Sequence, residues 1–217
     1  MKDLNKIYCG DSLNLIKELE VSPNLIIMSP PDMAETNFTL DEYKIFIKTI
    51  YQSAYEKLSN DGVLVSITTD RKYKSSVFLK HIEIINAVTS CNNSNLFNYK
   101  IWAKSLKTNL YILNYAHILC FEKGKRKINN KITEFYPDVW LLENDKIKGY
   151  KNKDSFPTEL IKRLILSFTN KNDLILDPFI GTGKTGKVAV DNKRNFIGFE
   201  LSQEIIDLAN KQWNCFV

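Results

Sequence analysis

Histidine is nearly absent from this chain of 217 residues: His81 and His117 are the only two. The four cysteines, Cys9, Cys91, Cys120 and Cys215, stand far apart, and no Cys/His spacing of the metal-binding kind occurs. No metal is expected on that count. The cysteines read as reduced, mostly buried thiols in a reducing compartment. No apolar run approaches the roughly 20 residues of a membrane span. The first twenty residues carry Lys2, Asp3, Lys6, Asp11, Lys17 and Glu18, which does not describe a secretory leader. The expectation is a cytoplasmic protein with no membrane partner. Internal repeats and low-complexity tracts are missing as well.

What is present is ordinary for a globular domain. Hydrophobic residues make up 44% and charged residues 25%, enough for a real core in one α/β unit. The net charge of +5 is a mild basic excess. It permits a nucleic-acid partner without requiring one.

The apolar pattern alternates between short runs and helical spacing. "NLIIM" (24–28) is a strand that Pro30 and Pro31 must terminate, because proline cannot donate to a ladder. Thr39 and Glu42 form a capping box for a helix over 39–58, where Tyr43, Phe46, Ile47, Ile50, Ala54 and Leu58 recur at helical spacing. Strands are predicted at 62–69, 97–104, 116–123, 173–179 and 195–200. Helices are predicted at 72–86, at 156–168 with Pro157 in its first turn, from about 184, and at 202–213 behind Ser202. Strands alternating with helices imply a largely parallel sheet with helices on both faces. The stretch 124–153 loses its periodicity and gathers basic residues, from Lys125 and Arg126 to Lys153.

"DPFIGTGKTG" (177–186) looks like a phosphate loop. A Walker loop needs glycine five residues before its last one, and Pro178 stands there. The strand, Gly181-x-Gly183 and helix suit instead a cofactor lying across the carboxyl ends of parallel strands. Glu200, about 20 residues on, is placed to accept hydrogen bonds from ribose hydroxyls. On these residues alone the ligand is NAD or S-adenosylmethionine, and a tight turn with no ligand also remains open.

Five segments together resemble one family. "LDPFIGTGKT" (176–185) is similar to the cofactor motif of DNA methyltransferases that modify exocyclic amino groups, and Ser29-Pro30-Pro31 to their catalytic motif. "CGDSL" (9–13), "SFPTELIKRLI" (155–165) and "FIGFELS" (196–202) resemble flanking cofactor segments. The order, catalytic motif first and glycine motif last, matches the arrangement called beta. The resemblance covers nearly the whole chain. It implies a Rossmann-like, S-adenosylmethionine-dependent methyltransferase fold with a mostly parallel sheet and one antiparallel hairpin. It implies one domain over 1–217 with a small target-recognition-like insertion at 124–153. It also implies DNA as partner and restriction-modification as setting.

The same resemblance assigns roles. Asp177, Phe179, Gly181, Thr182 and Gly183 would wrap the methionine end of the cofactor. Glu200 would take the ribose and Asp11 the adenine amino group, while Phe156, Pro157 and Thr158 would close the pocket. The Ser29 hydroxyl and Pro30 carbonyl would accept hydrogen bonds from the target amino group, with Pro31 and Asp32 completing the catalytic segment. Serine in the first position is commoner among N4-cytosine enzymes, which favours cytosine N4 over adenine N6. Two residues depart from the pattern. Asp32 stands where an aromatic residue is usual. Phe38 or a neighbour stacks on the base instead, Asp32 hydrogen-bonds its edge, or activity is weak or lost. Lys184 replaces a usual threonine, to sit near the cofactor carboxylate or point to solvent. Lys104, Lys107, Lys125, Arg126 and Lys127 are candidate phosphate contacts. A recognition segment this short fits a short DNA site, a homodimer or a partner subunit. Two other functions stay open: an inactive methyltransferase-fold module that binds DNA or a partner methyltransferase, and methylation of RNA or protein.

Overall fold

The computed structural model describes residues 1, 3–73, 76–104, 114–125, 137–143, 145 and 156–213. Among them the chain runs β1 (Lys6–Cys9), α1 (Ser12–Glu18), β2 (Leu25–Met28), α2 (Leu40–Lys57) and β3 (Val63–Thr68). The strands β4 (Arg71–Tyr73) and β5 (Ser76–Phe78) follow, then α3 (Lys80–Thr89), β6 (Ser94–Ala103), β7 (Tyr115–Lys123) and β8 (Val139–Leu141). The last part is α4 (Thr158–Phe168), β9 (Leu174–Asp177), α5 (Lys184–Asp191), β10 (Asn195–Glu200) and α6 (Gln203–Trp213).

Eight strands form one sheet in the order β1-β10-β9-β2-β3-β7-β6-β8. Only β7 runs against the others, pairing antiparallel with β3 and β6. β2 and β3 are buried at every position, as expected for strands covered on both faces. Helices α1, α2 and α3 pack on one face around Ile16, Tyr43, Ile47, Tyr51 and Val88. Helices α4, α5 and α6 pack on the other, through Leu160, Ile161, Leu164, Val188 and Ala209. Each such fully buried large aliphatic side chain contributes about 2 kcal/mol of hydrophobic stabilisation. The Thr39–Glu42 capping box is formed as the sequence predicts, with the Glu42 carboxylate accepting from the Thr39 N–H at 2.8 Å.

The structure differs from one local expectation and adds elements in two other places. Residues 72–86 are not one helix: β4 and β5 form a separate two-stranded hairpin, and helix begins only at Lys80. The run Val77-Phe78-Leu79 has no 3.6-residue period; that period starts with Ile84, Ala87 and Val88, which α3 buries. The strand β1 and helix α1 are additions that the apolar pattern does not announce. Within the stretch 124–153, β8 joins the main sheet beside β6 and pairs Trp140 with Trp102. Both indoles are buried.

The connection from β2 through α2 moves one way along the sheet, while that from β9 through α5 moves the other. The loops after β2 and β9 therefore diverge. In open α/β sheets such a switch point opens a crevice at the carboxyl ends of the strands.

Candidate active site

A cavity of about 570 Å³ occupies that crevice, within the range of small-molecule sites. Much of its wall comes from strand ends. Asp11 and Ser12 follow β1, Ser29 to Asp32 follow β2, and Thr68, Thr69 and Arg71 come from the end of β3 and beyond. Pro178, Phe179 and Gly181 follow β9, Glu200 and Leu201 close β10, and Lys104 follows β6. The two motifs of highest interest, 149 positions apart in sequence from Ser29 to Pro178, face one space.

The loop after β9 has the conformation its glycines permit. Gly181 has φ +53° and Gly183 φ +79°, both left-handed. A Cβ built at Gly181 would meet no protein atom within 4 Å, so the room there belongs to the cavity. Gly183 caps α5. Asp177 is buried behind this loop and accepts from the Phe179 N–H at 3.0 Å. Burial pushes its carboxyl up; the Thr185 hydroxyl and Phe179 N–H oppose this, and the Glu200 charge adds to it, leaving it raised to about 6. Glu200 stands at the cavity wall, one carboxylate oxygen accepting from the Ser202 N–H at 2.9 Å. A glycine whose side is open, a carboxylate at the next strand end and an enclosed apolar wall of Phe179 and Phe199 fit a nucleoside-bearing cofactor.

Asp32 is not bare. Its Oδ2 accepts from Arg71 Nε at 2.7 Å, and its Oδ1 accepts from the Lys80 ammonium. Burial alone would raise its pKa; the Lys80 and Arg71 charges overcome that and hold the carboxyl below its ordinary range. Behind Thr69 and Arg71 lies a second cluster. Asp70 meets His81 Nδ1 at 2.8 Å and His117 Nε2 at 3.3 Å, and the Tyr99 hydroxyl bonds His117 Nδ1. These Asp70, His81 and His117 groups lie within 4.8 Å of one another, close enough to hold an ion. The two rings, however, stack with centroids 4.1 Å apart and planes 19° apart. A metal lies in the plane of each imidazole that binds it, and two nearly parallel planes do not meet at one nearby point. Hydrogen bonds to the Asp70 carboxylate join the cluster. Burial, with the neighbouring His81, holds His117 below the usual imidazole range against the pull of Asp70.

Residues 23–211 match the N6/N4 methyltransferase family, described as DNA methylase. The chain belongs to this family. It is 34% identical over 253 residues to the type II methyltransferase M.HinfI of Haemophilus influenzae, covering 96% of this chain and 68% of that protein. It is 35% identical over 238 residues to M.MjaI of Methanocaldococcus jannaschii, covering 92% and 78%. Among solved structures, the M1.HpyAVI–SAM complex matches with a TM-score of 0.73 and 25% identity, covering 96% of this chain and 98% of that one. The cytosine-N4-specific PvuII DNA methyltransferase matches with a TM-score of 0.79, 19% identity, and coverage of 96% and 92%. That last likeness is one of fold. The mostly parallel sheet, with β7 its one reversed strand, is the architecture that these matches align with.

Within this methylase the expected site residues divide. Asp11, Ser29, Pro30, Pro31, Asp32, Lys104, Phe156, Phe179, Gly181 and Glu200 all line the cavity. Asp177 is buried at the end of β9, Thr182 and Gly183 are buried in the loop that shapes the cavity, and Pro157 is buried at the start of α4. Thr158 does not line the cavity and engages Asp145 instead, its N–H and hydroxyl both donating to that carboxylate. Lys184 is neither at the cavity wall nor in solvent. It is 6% exposed, donating to the same Asp145 carboxylate at 2.9 Å and to the Phe156 carbonyl. Lys125 lies at the wrong end of the sheet. The preceding Lys123 N–H bonds the Gly62 carbonyl, at the amino end of β3, about 16 Å of strand from the cavity. Because β7 is antiparallel, its exit points away from the site. Lys107, Arg126 and Lys127 lie outside the described residues. Thr68, Arg71, Lys80 and Trp102 also line the cavity, beyond the residues that the sequence singles out. The carboxyl end of β3 is the available signal for the first two. The Thr68 hydroxyl is buried without a hydrogen-bond partner.

Proposed function

We propose that this methylase transfers a methyl group from S-adenosylmethionine to the exocyclic amino group of a base in DNA, cytosine N4 in preference to adenine N6. The observation that carries the reading is the single cavity that joins Ser29-Pro30-Pro31 to the Gly181 loop and Glu200. When bound, S-adenosylmethionine supplies an activated methyl group on a sulfonium. Glu200 accepts from the ribose, and the glycine loop with the amino end of α5 receives the carboxylate end. A base amino nitrogen is a poor nucleophile because its lone pair is delocalised into the ring. The Ser29 hydroxyl oxygen and the Pro30 carbonyl accept its two N–H bonds, favour a pyramidal nitrogen and localise the pair. Proximity and these preset acceptors supply most of the acceleration. The base must leave the duplex to reach them. Lys104, which lines the cavity with its ammonium 5.2 Å from the Trp102 ring centre, suits a backbone phosphate. The serine in the first catalytic position supports cytosine.

Incubation with S-adenosylmethionine and mixed-sequence duplex DNA, digestion to nucleosides and mass spectrometry tests this. N4-methylcytosine is expected. N6-methyladenine would overturn the base preference alone; absence of both, with RNA and protein also tried, would overturn the reaction. Ser29→Ala should lower kcat about 100-fold or more while cofactor affinity holds, since one preset acceptor is lost.

A further inference from the structure

The hairpin β4–β5 is tied down at both feet. Arg71 opens β4 and Lys80 opens α3 just beyond β5. Both side chains reach Asp32: the ammonium to Oδ1, the guanidinium through Nε and a terminal nitrogen to Oδ2. One residue outside each foot, Asp70 accepts from the His81 backbone N–H at 3.2 Å and bonds the His81 ring. Phe78 of β5 packs edge-on against Tyr43, with centroids 6.0 Å apart. The Tyr43 hydroxyl in turn donates to the Pro31 carbonyl at 2.8 Å. The hairpin is thus fastened across its base by Asp70–His81 and fastened to the loop after β2 by Asp32 and Tyr43.

Both carboxylate oxygens of Asp32 are engaged, and its backbone N–H donates to Glu35 at 2.8 Å. The Lys80 side chain is only 5% exposed. Its ammonium sits out of water with Asp32 as counter-charge, and removing one member of such a pair strands the other. We propose that Asp32 is a positioning residue that locks the β4–β5 hairpin, through Lys80 and Arg71, against the loop carrying Ser29 and Pro30. It does not contact the target base. This rests on the methyl-transfer reading of the same cavity. The consequence is specific: an aromatic side chain at position 32 can stack on a base but cannot serve as the lock.

The test compares wild type with Asp32→Asn, Asp32→Glu, Asp32→Tyr and the double variant Asp32→Leu/Lys80→Met, which removes the buried ion pair. Each is measured for methyl-transfer kinetics, S-adenosylmethionine affinity, thermal unfolding and amide hydrogen exchange at residues 76–80. Asp32→Asn and Asp32→Tyr should lose about 100-fold in kcat through misplaced acceptors, with cofactor affinity unchanged. Asp32→Glu should recover most of that loss. The double variant should unfold near the wild-type temperature, because no buried lone charge remains and Arg71, 54% exposed, stays solvated, yet stay slow. Exchange at 76–80 should quicken about tenfold or more wherever the lock is gone. Turnover by Asp32→Tyr or the double variant at the wild-type rate would overturn the proposal. A change in KM for DNA alone would do the same, since it would mark a base contact. If wild type transfers no methyl group, the functional reading fails. Hydrogen exchange then decides the lock, and unchanged exchange in Asp32→Asn overturns it.

Discussion

The charge of Asp177 works against the fold. This residue ends β9 with 6% of its surface exposed and is bonded by the Phe179 N–H. Its carboxyl is raised by burial from 3.8 to about 6. At about 1.4 kcal/mol per pKa unit, that difference corresponds to roughly 3 kcal/mol. The sign follows from proton counting. A carboxyl whose folded pKa exceeds its unfolded value binds more protons when folded, so its stabilising contribution is full below about 3.8 and is lost as pH rises through about 6. Asp177→Asn cannot ionise. The stability of this variant relative to wild type should therefore grow by roughly 2.4 kcal/mol between pH 4 and pH 7. Urea unfolding followed by tryptophan fluorescence at half-unit pH steps measures both proteins. Subtraction removes every other titration, and it also removes any pH-independent packing cost of the amide. A difference that stays flat from pH 4 to pH 7 would refute the reasoning. A costly buried charge beside a cavity marks a functional group. The same variant should accordingly bind the cationic methyl donor about tenfold or more weakly at pH 7, while holding more stability.

Gly181→Ala should cost about 1 kcal/mol of stability for the left-handed backbone, yet weaken cofactor binding by at least about tenfold, because its methyl group enters only cavity space. Equal affinity by calorimetry would show that the cofactor does not approach this loop. Lys184→Met should remove a charged donor from the Phe156 carbonyl and lower stability by about 2 kcal/mol. A melting temperature indistinguishable from wild type would refute a buried bracing role. The same substitution should raise the Asp145 carboxyl, which burial pushes up and which Thr158 and Lys184 together hold low; carboxylate titration by NMR reads that directly.

How much of this is legible in the sequence depends on the range of each interaction. The helix α2 announces itself through a capping box and six apolar positions at helical spacing, all local signals. So does the glycine loop, because only glycine takes its backbone angles cheaply. The strands β1 and β8 have four and three residues, too few for any period to emerge. The hairpin β4–β5 is hidden by an apolar run that belongs to a strand and borders a helix. The paired charges are invisible for another reason. Asp32 and Lys80 are 48 positions apart, and Asp70 and His117 are 47 apart. No local rule joins them. Only the sheet, by bringing the carboxyl ends of β2 and β3 beside the amino end of the reversed β7, makes each pair.

The two motif departures then take on a common physical sense. Asp32 and Lys184 both carry charge where the resembling pattern has none, and neither faces its charge toward empty space. Each is paired with a residue from a distant segment: Asp32 with Lys80 and Arg71, Lys184 with Asp145. The first pair fastens the loop behind Ser29 on the side proposed for the base. The second fastens the Phe156 carbonyl and, through Asp145, the first turn of α4 on the side proposed for the cofactor. A charge introduced alone at either place would be expelled or would titrate. Introduced with its partner, it becomes a strut. Substituting Asp32 alone back toward the family pattern is then a different experiment from substituting the pair with Lys80, because it leaves the Lys80 charge in a site that burial has closed to water.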